Sequence, residues 1–154
     1  MQGEQDNRFR FVRYSRIGVA IRDFGRVSMA ADFFLIDQRD WADERAIQSA
    51  PSALVEEAQR SGARRKRLAQ GEAGFHTQYS ELPPGFTIPV HHHDHDEVII
   101  LVDGGCTVLG DGPEMRARDS VVIKGGTDYG FVAGPDGMRF FTIRTQAAST
   151  TMAG

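Results

Sequence analysis

The stretch "PVHHHDHDEVIILVDGG", residues 89–105, places four of the chain's five histidines beside Asp94, Asp96 and Glu97, and an aliphatic run follows at once. Side chains alternate between the two faces of a β-strand, so residues two apart point the same way. His91, His93, His95 and Glu97 share one parity, and Ile99 and Leu101 continue it. If the segment is extended, that face turns to an apolar interior, while His92, Asp94 and Asp96 face outward. Two imidazoles and a carboxylate converging on an interior make a metal site with positions left for water or substrate. Without a cation the carboxylate would be costly to desolvate, and no basic partner for it is evident in the sequence. A surface patch or a purification tag is also His-rich, but this run is internal and flanked by strand patterns.

The surroundings support a β fold. From Gly71 onward, short runs such as "GFTIPV", "EVIILV", "SVVIK" and "MRFFTIRT" alternate with "PPG", "DGG", "GDGP", "KGG" and "GPDG". Regular short strands with Gly/Pro punctuation predict an antiparallel sandwich or barrel. The Asp-Gly of "LGDGPEM" marks a hairpin. Upstream, "ADFFLIDQRDW" (31–41) reads as a short strand and a turn. "APSALVEEAQRSG" (50–62) reads as a helix, with Pro51 in the first turn, Gly62 as C-terminal cap, and Leu54 and Ala58 on one face. "ARRKRL" (63–68) reads as a solvated basic segment after the helix end. The expected organisation is an N-terminal arm or leader over 1–28, a strand plus helix over 29–70, a barrel over 71–146 and a tail over 147–154.

Composition narrows the function classes. The 154 residues carry a formal charge of -3, which does not suggest a nucleic-acid binder. Residues 1–70 hold 13 of the 18 basic residues and 10 of the 21 acidic ones. The histidine cluster therefore lies in the acidic half, which suits a cation. Cys106 is the lone cysteine, so neither an internal disulfide nor a cysteine-based zinc cage is available. Val98–Val102 is far too short to span a bilayer, and no secretory pattern follows the N-terminus. The expected setting is cytoplasmic, with neither nucleic acid nor membrane as partner.

Gly85, His91, His93, Glu97 and Gly104 match the first cupin motif, G-x5-H-x-H-x3-E-x6-G, without a gap. The chain thus resembles a small single-domain cupin of the RmlC-like kind. That resemblance implies a mainly β double-stranded β-helix, or jelly-roll barrel, here preceded by a short N-terminal helical segment. It covers about residues 71–146. The second motif, G-x5-P-x-G-x2-H-x3-N, is eroded: Arg118 stands at its first glycine, Lys124 at the proline, Tyr129 at the histidine and Ala133 at the asparagine. Gly126 alone keeps its type.

The resemblance implies His91, His93 and Glu97 as metal ligands, with Tyr129 or His95 as alternative fourth ligand. Three readings of Tyr129 compete: a phenolate ligand, a neutral phenol acting as general acid or base or hydrogen-bonding to substrate, or a lining residue with no chemical role. The second is preferred, which makes Tyr129 and Glu97 the catalytic candidates. Lys124 is expected at the surface, and His76 as a structural residue. Two histidines and a glutamate with open positions suit Fe(II), with Mn, Ni or Zn as alternatives. The expected function is a metal-dependent cupin enzyme acting on a small organic molecule, first of all a non-heme Fe(II) dioxygenase. The alternatives are a decarboxylase, lyase or isomerase using Tyr129 as acid/base, and a ligand-binding cupin without turnover. Phe75, Tyr79, Phe86, Phe131 and Phe141 are the candidate walls for an apolar or aromatic substrate. A homodimer using part of residues 8–36 is expected.

Overall fold

In the computed structural model, the aliphatic run after the histidines is the first half of a twelve-residue strand, β6 (Glu97–Val108). The structure describes residues 19–24, 27–43, 52–147 and 149–153, and side chains from residue 30 onward outside 52–54. Most of the 1–28 arm and Pro51 therefore lie outside the described residues. The chain divides into two compact units, residues 1–33 and residues 34–154. In the first, β1 (Val19–Phe24) and β2 (Val27–Ala31) pair as an antiparallel ribbon. Part of "FRFVRYSRIGVAIR" is thus a strand.

The second unit is mainly β. Its strands are β3 (Arg64–Gln70), β4 (His76–Leu82), β5 (Thr87–His93), β6, β7 (Glu114–Arg116), β8 (Ser120–Ile123), β9 (Tyr129–Arg144) and β10 (Thr150–Met152). They form one eight-stranded antiparallel sheet. β9 is its spine: it pairs with β4, β5 and β6. Inward residues alternate with outward ones along β6, where Glu97, Ile99 and Leu101 are buried and Val98, Ile100 and Val102 are not. Ile99, Leu101, Phe86, Phe131, Met138 and Phe140 belong to one core cluster. This is the jelly-roll architecture read from the sequence.

β6 and β9 can run so long only by bending where they cross. A Cβ on Gly104 would stand 2.1 Å from the Gly137 carbonyl oxygen, and both glycines have positive φ, +68° and +76°. Only glycine meets both demands. The register slips on either side of Gly104, as expected of a bulge. The "LGDGPEM" hairpin is present, with β7 antiparallel to the end of β6. Arg118, where the second motif has its first glycine, has a left-handed backbone at φ +81°.

Two upstream readings change. "ARRKRL" keeps Arg64 and Arg67 exposed after the helix end, but most of it also forms a strand, β3, paired with β4. Residues 32–35 form no strand, and a 3-10 turn over Ile36–Gln38 follows instead. The expected helix is α1 (Ser52–Ser61). It ends as the glycine predicts: Gly62 has φ +85°, and the Ala63 amide donates to the Ala58 carbonyl at 2.9 Å. Val55 and Ala58 of α1 line the cavity described next.

Candidate metal centre and its cavity

A cavity of about 330 Å³ opens inside the sheet, with His91, His93, Glu97 and Tyr129 on its wall. Strand alternation survives the turn at Asp94–His95. His91, His93, His95 and Glu97 are all buried, while Asp94 and Asp96 are exposed and His92 is half-buried. Register brings the distant partners in: His91 pairs across the sheet with Tyr129, and Glu97 with Arg144.

The histidine tautomers follow from their neighbours. His91 Nδ1 lies 2.8 Å from the Pro89 carbonyl oxygen, and His93 Nδ1 lies 2.7 Å from that of Ser149. A carbonyl only accepts, so each Nδ1 carries the hydrogen and each Nε2 keeps its lone pair. That fixed orientation is what a metal-ligating histidine needs. Burial holds both rings below the usual histidine pKa, partly opposed by those same hydrogen bonds. The rings are therefore neutral near pH 7, as ligation requires.

Glu97 is the most constrained group. Its side chain is 1% exposed. Tyr129 donates its hydroxyl hydrogen to Oε1. Arg144 reaches Oε2 through Nε at 2.8 Å and through a terminal nitrogen at 2.6 Å. That same terminal nitrogen is 3.2 Å from His93 Nε2. Arg144 is the residue that the sequence reading missed: it is the basic partner said to be lacking. Burial, and then the Glu97 charge, push the Tyr129 phenol above its ordinary pKa, so it rests as a neutral hydrogen-bond donor.

The donor set fits a divalent metal in chemical type: two oriented imidazoles with free lone pairs, and a carboxylate. Among the described residues, no three His, Cys, Asp or Glu side chains are gathered closely enough to hold a metal as they stand. The Arg144 guanidinium stands between two of the donors. His95 is buried but is not among the cavity-lining residues. Its Nδ1 is 2.6 Å from an Asp94 oxygen, yet neither ring nitrogen makes a hydrogen bond of proper geometry. Lys124 lies at the surface, 3.0 Å from Asp96.

The cavity walls differ in chemistry. Phe86, Ile88, Phe131 and Phe140 supply apolar surface. Phe75 is 49% exposed, and Tyr79 and Phe141 are not on the cavity wall. His76 is on it, as are Arg65 and Arg67 of β3, which pair with Ser80 and Gln78 of β4.

A curled β-sheet that turns a His-x-His-x3-Glu face to its interior has the jelly-roll architecture. Residues 78–144 match the cupin domain family, and the barrel of this chain is a cupin domain. The chain is similar to the dimethylsulfoniopropionate lyase DddW of Ruegeria pomeroyi, with 36% identity over 63 residues, which is 40% of this chain and 41% of that protein. The match therefore spans less than half of that relative's length. Among solved structures, KdgF from Halomonas sp. superposes with a TM-score of 0.57 at 21% identity, over 76% of this chain and 96% of that one. A putative acetylacetone dioxygenase from Methylibium petroleiphilum gives 0.57 at 18% identity, over 80% and 82%. At these identities the structural likenesses establish the fold alone. No helix among the described residues is long and apolar enough to cross a membrane.

Proposed function

We propose that the barrel is a metal-dependent enzyme that removes a proton from a small organic acid, in lyase-type chemistry. The observation that carries this reading is the Tyr129 hydroxyl, hydrogen-bonded to Glu97 on the same wall as the two oriented histidines. His91, His93 and Glu97 would hold the metal, which would act as a Lewis acid on a substrate oxygen. Tyr129 handles the proton. As a neutral phenol it does not begin as a base. It takes a substrate proton at its oxygen while passing its own to Glu97 Oε1. In an elimination the substrate's C–H electron pair becomes the new π bond, and the leaving group departs with its own bonding pair. The proton is then all that the protein must accept.

The wall chemistry supports an anionic substrate. The cavity lining carries Arg64, Arg65, Arg67 and Arg144 beside one carboxylate, Glu97, a wall chemistry that suits a carboxylate substrate. The phenylalanines suit a short hydrocarbon portion. The name of the R. pomeroyi relative points the same way, since it is a lyase. The Fe(II) dioxygenase reading rests on the two-histidine, one-carboxylate set alone, and it gives Tyr129 no necessary task.

The test is turnover of β-substituted small carboxylic acids without oxygen, followed by ¹H NMR for alkene products. Anaerobic product formation that is lost in Tyr129→Phe supports the lyase. Product formation that requires O2 and consumes it supports the dioxygenase instead.

A further inference from the structure

We propose that Arg144 is a built-in competitor of the metal: the guanidinium and a divalent cation take the same lone pairs, so metal binding must displace Arg144 from Glu97. The inference rests on the reading of His91, His93 and Glu97 as the metal-holding set.

The geometry is specific. One terminal nitrogen of Arg144 lies 2.6 Å from Glu97 Oε2 and 3.2 Å from His93 Nε2, and those two atoms are 3.9 Å apart. The nitrogen therefore bridges the two donors. Arg144 donates hydrogens to both; a metal would accept electron pairs from both. The single lone pair of His93 Nε2 cannot serve the two cations at once, and a metal shared with Glu97 Oε2 would need the place that the Arg144 nitrogen holds. Like charges a few ångströms apart in a buried site also repel strongly.

The fold builds in this arrangement. Glu97 and Arg144 are cross-strand partners on β6 and β9. The Glu97 side chain is almost wholly buried and Arg144 is 16% exposed, so the carboxylate needs an internal positive charge. Arg144 supplies one without any exogenous ion. Metal binding then replaces one counter-ion by another, and the observed affinity is lowered by the fraction of protein in which Arg144 holds the site.

An opposite role is conceivable for a residue so placed: Arg144 could orient Glu97 and so strengthen metal binding. Losing such an orienting partner typically weakens affinity by about 10–100-fold. The two roles predict opposite signs.

The experiment measures Co(II) affinity of the full chain by chelator competition, for the wild type, Arg144→Met, Arg144→Lys and His91→Ala. Methionine keeps much of the apolar stem and removes the charge. Arg144→Met should bind Co(II) about tenfold more tightly or better, within the usual range for coupled sites. Arg144→Lys, which keeps the charge, should stay close to the wild type. Equal or weaker binding by Arg144→Met would overturn the proposal. If that variant does not fold, the wild type decides by NMR. The Arg144 side-chain Nε–H should be slowly exchanging, because it donates to Glu97, and should lose that protection on titration with Zn(II). An unchanged signal at saturating zinc overturns the proposal. His91→Ala separates the two levels. If it binds Co(II) as well as the wild type, the metal reading itself has failed, and the Arg144 proposal with it. If His91→Ala abolishes binding while Arg144→Met matches the wild type, the metal site stands and the competitor does not.

Discussion

The sheet carries two Tyr–Glu–Arg clusters, one on each face. On the outside, Tyr79 donates to Glu81 at 2.9 Å, and Arg64 reaches the same carboxylate through two nitrogens at 2.9 and 2.7 Å. On the inside, Tyr129 and Arg144 hold Glu97 in the same pattern. The chemistry is alike and the setting is not. Glu81 and Arg64 side chains are 23% and 50% exposed, whereas Glu97 is 1% exposed. The outer cluster is also bound up with packing: Arg64 and Lys66 sit 4.0 and 4.6 Å from the Trp41 ring centre, and the Tyr79 ring packs tilted against Phe141 with centres 5.4 Å apart. Water can solvate each outer charge if its partner is lost. The inner charges have only one another, the two histidines and whatever enters the cavity. Burial is therefore what separates the two clusters: the outer one is open to water, and the inner one is a closed network on the cavity wall.

Removing one carboxylate from each cluster should give the largest contrast. Glu97→Ala leaves Arg144 without a counter-charge and should cost about 3–5 kcal/mol, the scale for breaking a buried pair. Glu81→Ala should cost about 1 kcal/mol or less, the scale of an exposed pair. Urea denaturation of the two variants measures both, and equal losses would end the distinction. The tyrosines sharpen it in function. Tyr129→Phe should lower turnover by roughly a hundredfold, the usual scale of one acid–base group, with the metal retained. Tyr79→Phe should leave turnover unchanged. Release of the metal by Tyr129→Phe would instead make the phenolate a ligand.

A smaller effect should appear with pH. Burial holds His91 and His93 below the ordinary value of 6.5 in the folded chain, so below that pH the unfolded chain binds more protons than the folded one. Stability should then be full above about pH 6.5 and fall as pH drops from there toward the folded values. Tyr129 has the opposite sense: its pKa is raised, so stability should fall above about pH 10 as the unfolded phenol ionises. Urea midpoints between pH 5 and pH 8 check the acid limb, which His91→Gln should flatten. An acid limb unchanged in His91→Gln would show that this ring is not held neutral by burial.

How much of this was legible in the sequence depends on distance along the chain. The parity of residues 91, 93, 95 and 97 was readable because alternation is local, and it survives even where the strand breaks at Asp94–His95. The eroded second motif still located Tyr129, which lies directly across the sheet from His91. Arg144 was not readable, because it is 47 residues from Glu97 and meets it only through the register of β9 on β6. The aromatic candidates failed to separate for the same reason. Phe131 faces in and Phe141 faces out, and only strand register distinguishes them. In "ARRKRL", the charge run drew attention from the strand pairing with β4 that brings Arg64, Arg65 and Arg67 to the cavity lining.

Metal content decides whether the inward histidines with Glu97 form a metal site. Metal analysis of purified wild type, His91→Ala and His92→Ala compares two adjacent residues of opposite parity. His91 lines the cavity, while His92 faces Asp128 at 2.8 Å on the other side of the strand. The wild type and His92→Ala should carry a divalent metal in stoichiometric amount, and His91→Ala should carry almost none. A wild type that stays without metal when offered Fe(II), Mn(II), Ni(II) and Zn(II), or equal loss in His91→Ala and His92→Ala, would contradict the account.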